Sequence, residues 1–207
     1  MPYKLFWNTR HLEGSLYDAT LVPFDRWGEL VSWLITDPRE VPDTILFEAD
    51  FTVTRQADYP SNDVNWPLMS RRMLDVICGV GEFSHRAVAV RLVDRTVPRS
   101  ARYDDAHALR TDIVDDRFTA VQLLEHHDFV DWEQSRYRRS ELNPAYVARF
   151  SKLVLKAPAA GFPPLFRLPS QASHLFASDE ARAALEAAGV QGAEFWPLEN
   201  LNSPPPR

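Results

Sequence analysis

His126, His127, Asp128 and Asp131 place two imidazoles and two carboxylates within six consecutive positions of this 207-residue chain. Imidazole and carboxylate together are ligands for ions such as zinc or manganese. A metal held there would make the protein a small metal-dependent hydrolase. A strand argues against that use, because successive strand residues face opposite sides and the two imidazoles then diverge. A loop would remove the objection. Asp104-Asp105 and Asp115-Asp116 are further carboxylate pairs, suited to a metal or to acid–base work. Neither stands in a recognised metal-ligand spacing. Ser70 and Ser178 could serve as nucleophiles only with partners from elsewhere in the chain. Each also stands directly before a helical pattern, where a hydroxyl caps free backbone N–H groups. Cys78 is the single cysteine, so no internal disulfide can form. Its place in an amphipathic helix predicts a buried, inert thiol. No phosphate-binding glycine loop, G-x-S-x-G elbow, cysteine pair or H-E-x-x-H occurs.

The elements that must position these groups are short and mostly extended. "YKLFWN" reads as a strand, and "TILFEADFTVT" alternates with period two from Thr44 to Thr54, the pattern of a half-buried strand. "FDRWGELVSWL" spaces Phe24, Trp27, Leu30, Val31 and Leu34 as a helix, although Gly28 leaves a strand pair open. One local plan occurs twice: a capping serine, a helix, a glycine eleven positions on, then an apolar run. Ser70 to Gly81 is the first copy and Ser178 to Gly189 the second. The stripe of the first is Met73, Leu74, Ile77 and Cys78, and that of the second is Ala181, Ala184, Leu185 and Ala188. "SHRAVAVRL", "RFTAVQLLEHH" and "RFSKLVLKA" add strands, and Pro98 to Asp116 is a polar excursion. Strands outnumber helices without alternating with them, which predicts an α+β fold with a largely antiparallel mixed sheet, a few packed helices and two similar helix–strand units. The composition, 45% hydrophobic and 25% charged, is that of one globular domain over residues 1–207.

Charge excludes some functions. The net charge of −6 argues against a general nucleic-acid binder. Between Tyr103 and Glu133 nine acids face two arginines, a net of −7, so the rest of the chain is about neutral. A basic stretch follows, with Arg136, Arg138, Arg139, Arg149, Lys152 and Lys156, and is expected to neutralise the acidic one. No apolar run approaches the ~20 residues of a membrane span. The amino terminus has no secretory pattern, and a cytoplasmic protein is expected.

"PLMSRRMLDVICGVG", "AVAVRLVDR", "VQLLEHHDFVDWEQSRY", "SKLVLKA", "PPLFRLP" and "HLFASDEARAALEAAGVQGAEFWPL", in this order, resemble family eleven of the immunity proteins of bacterial polymorphic toxin systems. The resemblance covers roughly Trp66 to Leu198, leaving residues 1–65 as a variable part and 199–207 as a flexible tail. It implies a cytoplasmic antidote that binds a cognate toxin, of the kind delivered in bacterial competition by type VI secretion, and blocks it by stoichiometric protein–protein contact. It implies no catalytic residue, metal or cofactor, and leaves the oligomeric state open. On that reading the acidic stretch would fill a basic toxin cleft. The expected contacts are Asp104, Asp105, Asp112, Asp115, Asp116, Asp128 and Asp131. Trp132, inside the stretch, is the expected exposed anchor and Trp196 the expected core tryptophan. The hydrolase and a general adaptor remain the rival readings.

Overall fold

The computed structural model describes residues 1–9, 17–23 and 43–201. The expected helix with Trp27 and Trp33, and residues 202–207 of the tail, lie outside the described residues.

Eleven strands and three α-helices are present among the described residues. In chain order they are β1 (Tyr3–Trp7), β2 (Ala19–Leu21), β3 (Thr44–Ala49), α1 (Phe51–Thr54), β4 (Leu68–Ser70), α2 (Arg71–Val80), β5 (His85–Asp94), β6 (Val114–Leu123), β7 (Arg136–Arg139), β8 (Val147–Lys152), β9 (Leu165–Phe166), β10 (Leu175–Ala177), α3 (Asp179–Ala187) and β11 (Ala193–Pro197). The fold is α+β as expected, but the strands form three sheets. One runs β2-β3-β5-β6-β4, the second β11-β1-β10-β9, and β7 pairs with β8 alone. Every pairing is antiparallel except β3 with β5.

The repeated plan is repeated in space. β4-α2-β5 and β10-α3-β11 are both split units, in which the helix returns the chain to a strand parallel to the first but not beside it. In one unit β6 lies between the two strands, and in the other β1 does. Ser70 Oγ accepts from Met73 N at 3.1 Å and Ser178 Oγ from Ala181 N at 3.1 Å, so both serines are caps. The helix stops differ. Gly189 has φ +64°, the left-handed conformation that suits glycine at a helix end, whereas Gly81 at φ 169° is extended. The two helices pack on each other. They share a core with both large sheets: Met73 and Ile77 of α2, Ala181 and Leu185 of α3, Leu5, Leu175 and Ala177 from one sheet, and Met69, Val121 and Leu123 from the other. Strand alternation sends Leu68, Phe118 and Ala120 to the opposite face of the larger sheet, against Phe47 and Trp66. It likewise sends Phe166 and Phe176 to the far face of the other sheet, under Val147 and Phe150 of β8.

Two expectations are corrected. The period-two run does not continue to Thr54. β3 ends at Ala49, and Asp50 starts α1 by accepting from Thr52 N at 2.9 Å. Local capping by an Asx side chain wins over the alternation. Cys78 is exposed rather than buried. Only Met73 and Ile77 of α2 are fully inside, because the stripe that α3 and the sheets cover is narrower than the four-residue stripe of the sequence. Burial and the nearby Asp75 still raise the thiol's pKa, which disfavours the reactive thiolate.

Candidate functional site

The −7 stretch is divided by β6. Asp104 to Asp116 lie where the excursion joins β5 to β6, and Glu125 to Glu133 lie beyond the other end. Asp115 and Leu123 are about 26 Å apart along the strand at ~3.3 Å per residue. One toxin cleft would therefore have to be long to meet both groups.

At the first end, much of the charge is already answered. Arg110 binds Asp112 through two hydrogen bonds, which hold that carboxyl below its usual range. Arg117 grips Asp115 at 2.7 Å, and its Nη2 also donates to the Arg55 carbonyl at 3.0 Å. Asp104 accepts from the N–H groups of Ala106 and Ala108, both at 2.9 Å, and so closes its own turn. Asp105 and Asp116 are exposed and make no ion pair among the described residues. Arg102 is buried against Glu48 at 2.6 Å, which anchors the excursion to β3.

At the second end Glu125, Asp128 and Glu133 are exposed, but Asp131 turns inward. Asp131 is 5% exposed. Its carboxylate accepts from Glu133 N, Gln134 N and Gln134 Nε2 at 3.0–3.1 Å, with Lys156 at 3.8 Å. Trp132 is half-buried beside Phe150 and Tyr137, and its Nε1 donates to Asp128. Trp196 is core, as expected, its ring tilted against Phe6 with centroids 4.7 Å apart. His127 lies flat on Phe129 with ring centroids 5.0 Å apart. The Nε2 of His126 is buried with no hydrogen-bond partner among the described residues. His126, His127, Asp128 and Asp131 therefore do not converge on one point, and no metal-ligating cluster occurs among the described residues.

The basic stretch does not neutralise the acidic one. Arg136, Arg138, Arg149 and Lys152 stand exposed on the β7–β8 hairpin without an ion pair among the described residues. Only Lys156 reaches an acid of that stretch, Asp131. Arg139 stacks over Trp132 and Tyr137 and donates to the Pro144 carbonyl at 2.8 Å. Beyond it the loop exposes Leu142 fully, at 99%, and Tyr146 in part.

Two groups without a motif of their own, Arg167 and His174, share an unusual buried environment with the candidate ligand His126. Arg167 is 3% exposed, and His126 and His174 sit in its field. Burial, then Arg167 and His127, lowers His126 to about 4. Burial, then Lys4 and Arg167, lowers His174 to about 4. No pattern around "FRLPSQASH" marks Arg167 and His174, because what defines them is burial, which only the folded chain supplies. Both histidines fold neutral, whereas an unfolded histidine takes its proton near pH 6.5. The unfolded chain therefore binds more protons between these values. Stability is full above about pH 6.5, falls as pH drops toward 4 and then levels. The expected loss is on the order of 3 kcal/mol for the two partly exposed rings together. Urea midpoints measured from pH 7.5 to pH 4 check it. A midpoint that does not move, or an unchanged slope in the double variant His126→Phe/His174→Phe, contradicts it.

Residues 18–200 match the model of an immunity protein family. The chain belongs to that family, Imm11. The match begins at Asp18, well before Trp66, in keeping with β2 and β3 being strands of the larger sheet. Among curated proteins none matches the chain.

Proposed function

We propose that the protein is a cytoplasmic antidote, without catalysis of its own, that neutralises a cognate bacterial toxin by stoichiometric binding. The match to the immunity family over residues 18–200 carries this reading. Toxins that act on nucleic acids or nucleotides have basic clefts, and an acidic surface speeds and selects encounter with them. The acids free to do this are Asp105 and Asp116, with Asp104 beside them. Asp112 and Asp115 contribute less, because arginines already answer their charge. Exposed Asp128 and half-buried Trp132 would meet a separate part of the toxin, at the far end of β6, whereas Asp131 is buried and holds its own turn.

The test is co-expression with the toxic domain encoded beside this gene, scored by survival and co-purification. Loss of both sinks the antidote reading. The double variant Asp105→Lys/Asp116→Lys spares the turn that Asp104 holds. It is expected to slow association at least about tenfold at low salt, an effect that shrinks as salt rises. Wild-type association by this variant, with protection intact, moves the contact away from the acidic face to the β7–β8 hairpin, where Leu142 and Tyr146 are the exposed anchors.

A further inference from the structure

Between β1, the Tyr59–Pro67 segment and Arg167–Leu175 lies a cavity of about 360 Å³. Among the described residues its walls carry two cations, Lys4 and Arg167, and no carboxylate. Arg167 is 3% exposed. One terminal nitrogen donates to the Ala172 carbonyl, while Nε and the other terminal nitrogen have no hydrogen-bond partner among the described residues, and no acid pairs with the group. Lys4 is 6% exposed; it donates to the Leu201 carbonyl at 3.1 Å and lies 4.7 Å from the centroid of the Trp196 ring. Two polar atoms of lining residues, Trp7 Nε1 and His174 Nδ1, are buried with no hydrogen-bond partner among the described residues.

A buried guanidinium is ordinarily paired, and buried donors are ordinarily satisfied. Here Arg167 borders the space, with Trp7, Tyr59, Trp66 and His174 as its aromatic walls. The guanidinium fork matches a carboxylate or phosphate with two parallel hydrogen bonds. The volume lies at the small end of ligand pockets, enough for a fragment of about benzoate size and too little for a cofactor. Exposed Asn65 and Ser173 stand among the lining residues and mark the mouth.

We infer that this cavity is a binding site for a small organic oxyanion, a carboxylate or phosphate held by Arg167 with its apolar body against Trp7 and Trp66. An oxyanion there would supply the counter-charge that the walls lack. The low pKa of His174, set first by burial and then by Lys4 and Arg167, fits the same picture. The inference stands apart from toxin binding and does not depend on it.

The probes are benzoate and inorganic phosphate, with benzyl alcohol as the uncharged match to benzoate. Binding is followed by tryptophan fluorescence and by the histidine ring signals in NMR. Saturable binding below about 10 mM is expected for at least one anion, with benzyl alcohol at least about tenfold weaker. Benzoate alone assigns a carboxylate on an apolar body, and phosphate alone assigns a phosphate group. The His174 titration is expected to move up by about one unit in the loaded protein. Arg167→Met is expected to weaken binding at least about tenfold. Should that variant fail to fold, Arg167→Lys keeps a cation and removes the planar fork, and a loss of several-fold is expected. Neither anion binding in this range overturns the inference. So does equal binding by the variants, or a His174 titration that ignores the bound anion.

Discussion

Replacing Asp58 with alanine is expected to destabilise the protein by roughly 2–4 kcal/mol, because it removes a buried carboxylate that several groups depend on. Asp58 is 4% exposed. It accepts from the Ser70 hydroxyl at 2.7 Å, from the Arg72 guanidinium, and from Gln191 N at 2.9 Å. Its own N–H and that of Tyr59 donate to the Gln191 carbonyl at 2.9 and 3.2 Å, while Ser70 N donates to the Asp58 carbonyl at 2.7 Å. This one residue therefore joins the cap of α2 to the turn after α3 and holds the two split units together. Burial alone would raise its pKa; the Arg72 guanidinium, the Gln191 N–H and the Ser70 hydroxyl outweigh that and hold it below the usual range. Its contribution is accordingly present above about pH 4 and lost as pH falls through the depressed value. The partner is not equally important. Arg72 has a side chain 53% exposed, so Arg72→Ala is expected to cost only about 1 kcal/mol, most of the guanidinium being solvated already. Urea unfolding of the two variants decides the point. Equal losses, or a loss below about 1 kcal/mol for Asp58→Ala, would show that the seam is held by packing alone.

Gly192→Ala is expected to cost about 2–4 kcal/mol, while Gly81→Ala is expected to be close to neutral. Gly192 has φ +91°, and a Cβ on it would lie 2.8 Å from the Tyr59 carbonyl oxygen and 3.3 Å from two more of that residue's backbone atoms. Backbone cannot give way as a side-chain tip can, least of all where Asn8 N donates to the Gly192 carbonyl at 2.8 Å. Gly189→Ala separates strain from collision. Its φ is +64° with nothing within 4 Å, so only the left-handed penalty of about 1–2 kcal/mol remains. Gly81 is extended, and its nearest contact would be Pro164 Cγ at an ordinary 3.5 Å. Thermal unfolding of the three variants is the measurement. Gly81 and Gly189 stand at matching places of the repeat, and equal losses there would mean that the two helix ends work alike.

Much of the scaffold was readable one segment at a time. Ser70 and Ser178 announce helix starts because a hydroxyl and the N–H three residues on are set by the local chain. Period two marked β3, although it overran into α1, where Asp50 offered the backbone a better local partner. The order of fragments from Pro67 to Leu198 was enough to point to the immunity family, whose model in fact reaches back to Asp18.

Which strand enters which unit was not readable. β1 lies between β10 and β11, more than 160 residues away in the chain, and β6 lies between β4 and β5. Nothing local encodes such a pairing; it is settled by which apolar faces can be buried together. Charge behaved the same way. A run of nine acids is a property of the sequence, but β6 separates its halves and Arg110 and Arg117 answer part of it. Tertiary structure also brought Lys4, Trp7, Tyr59, Arg167 and His174 from three distant segments to one cavity. The physical reason is range. Caps and periodicity act over a few residues along the chain, whereas burial and electrostatic field act through space, and only the folded chain says which groups share a space.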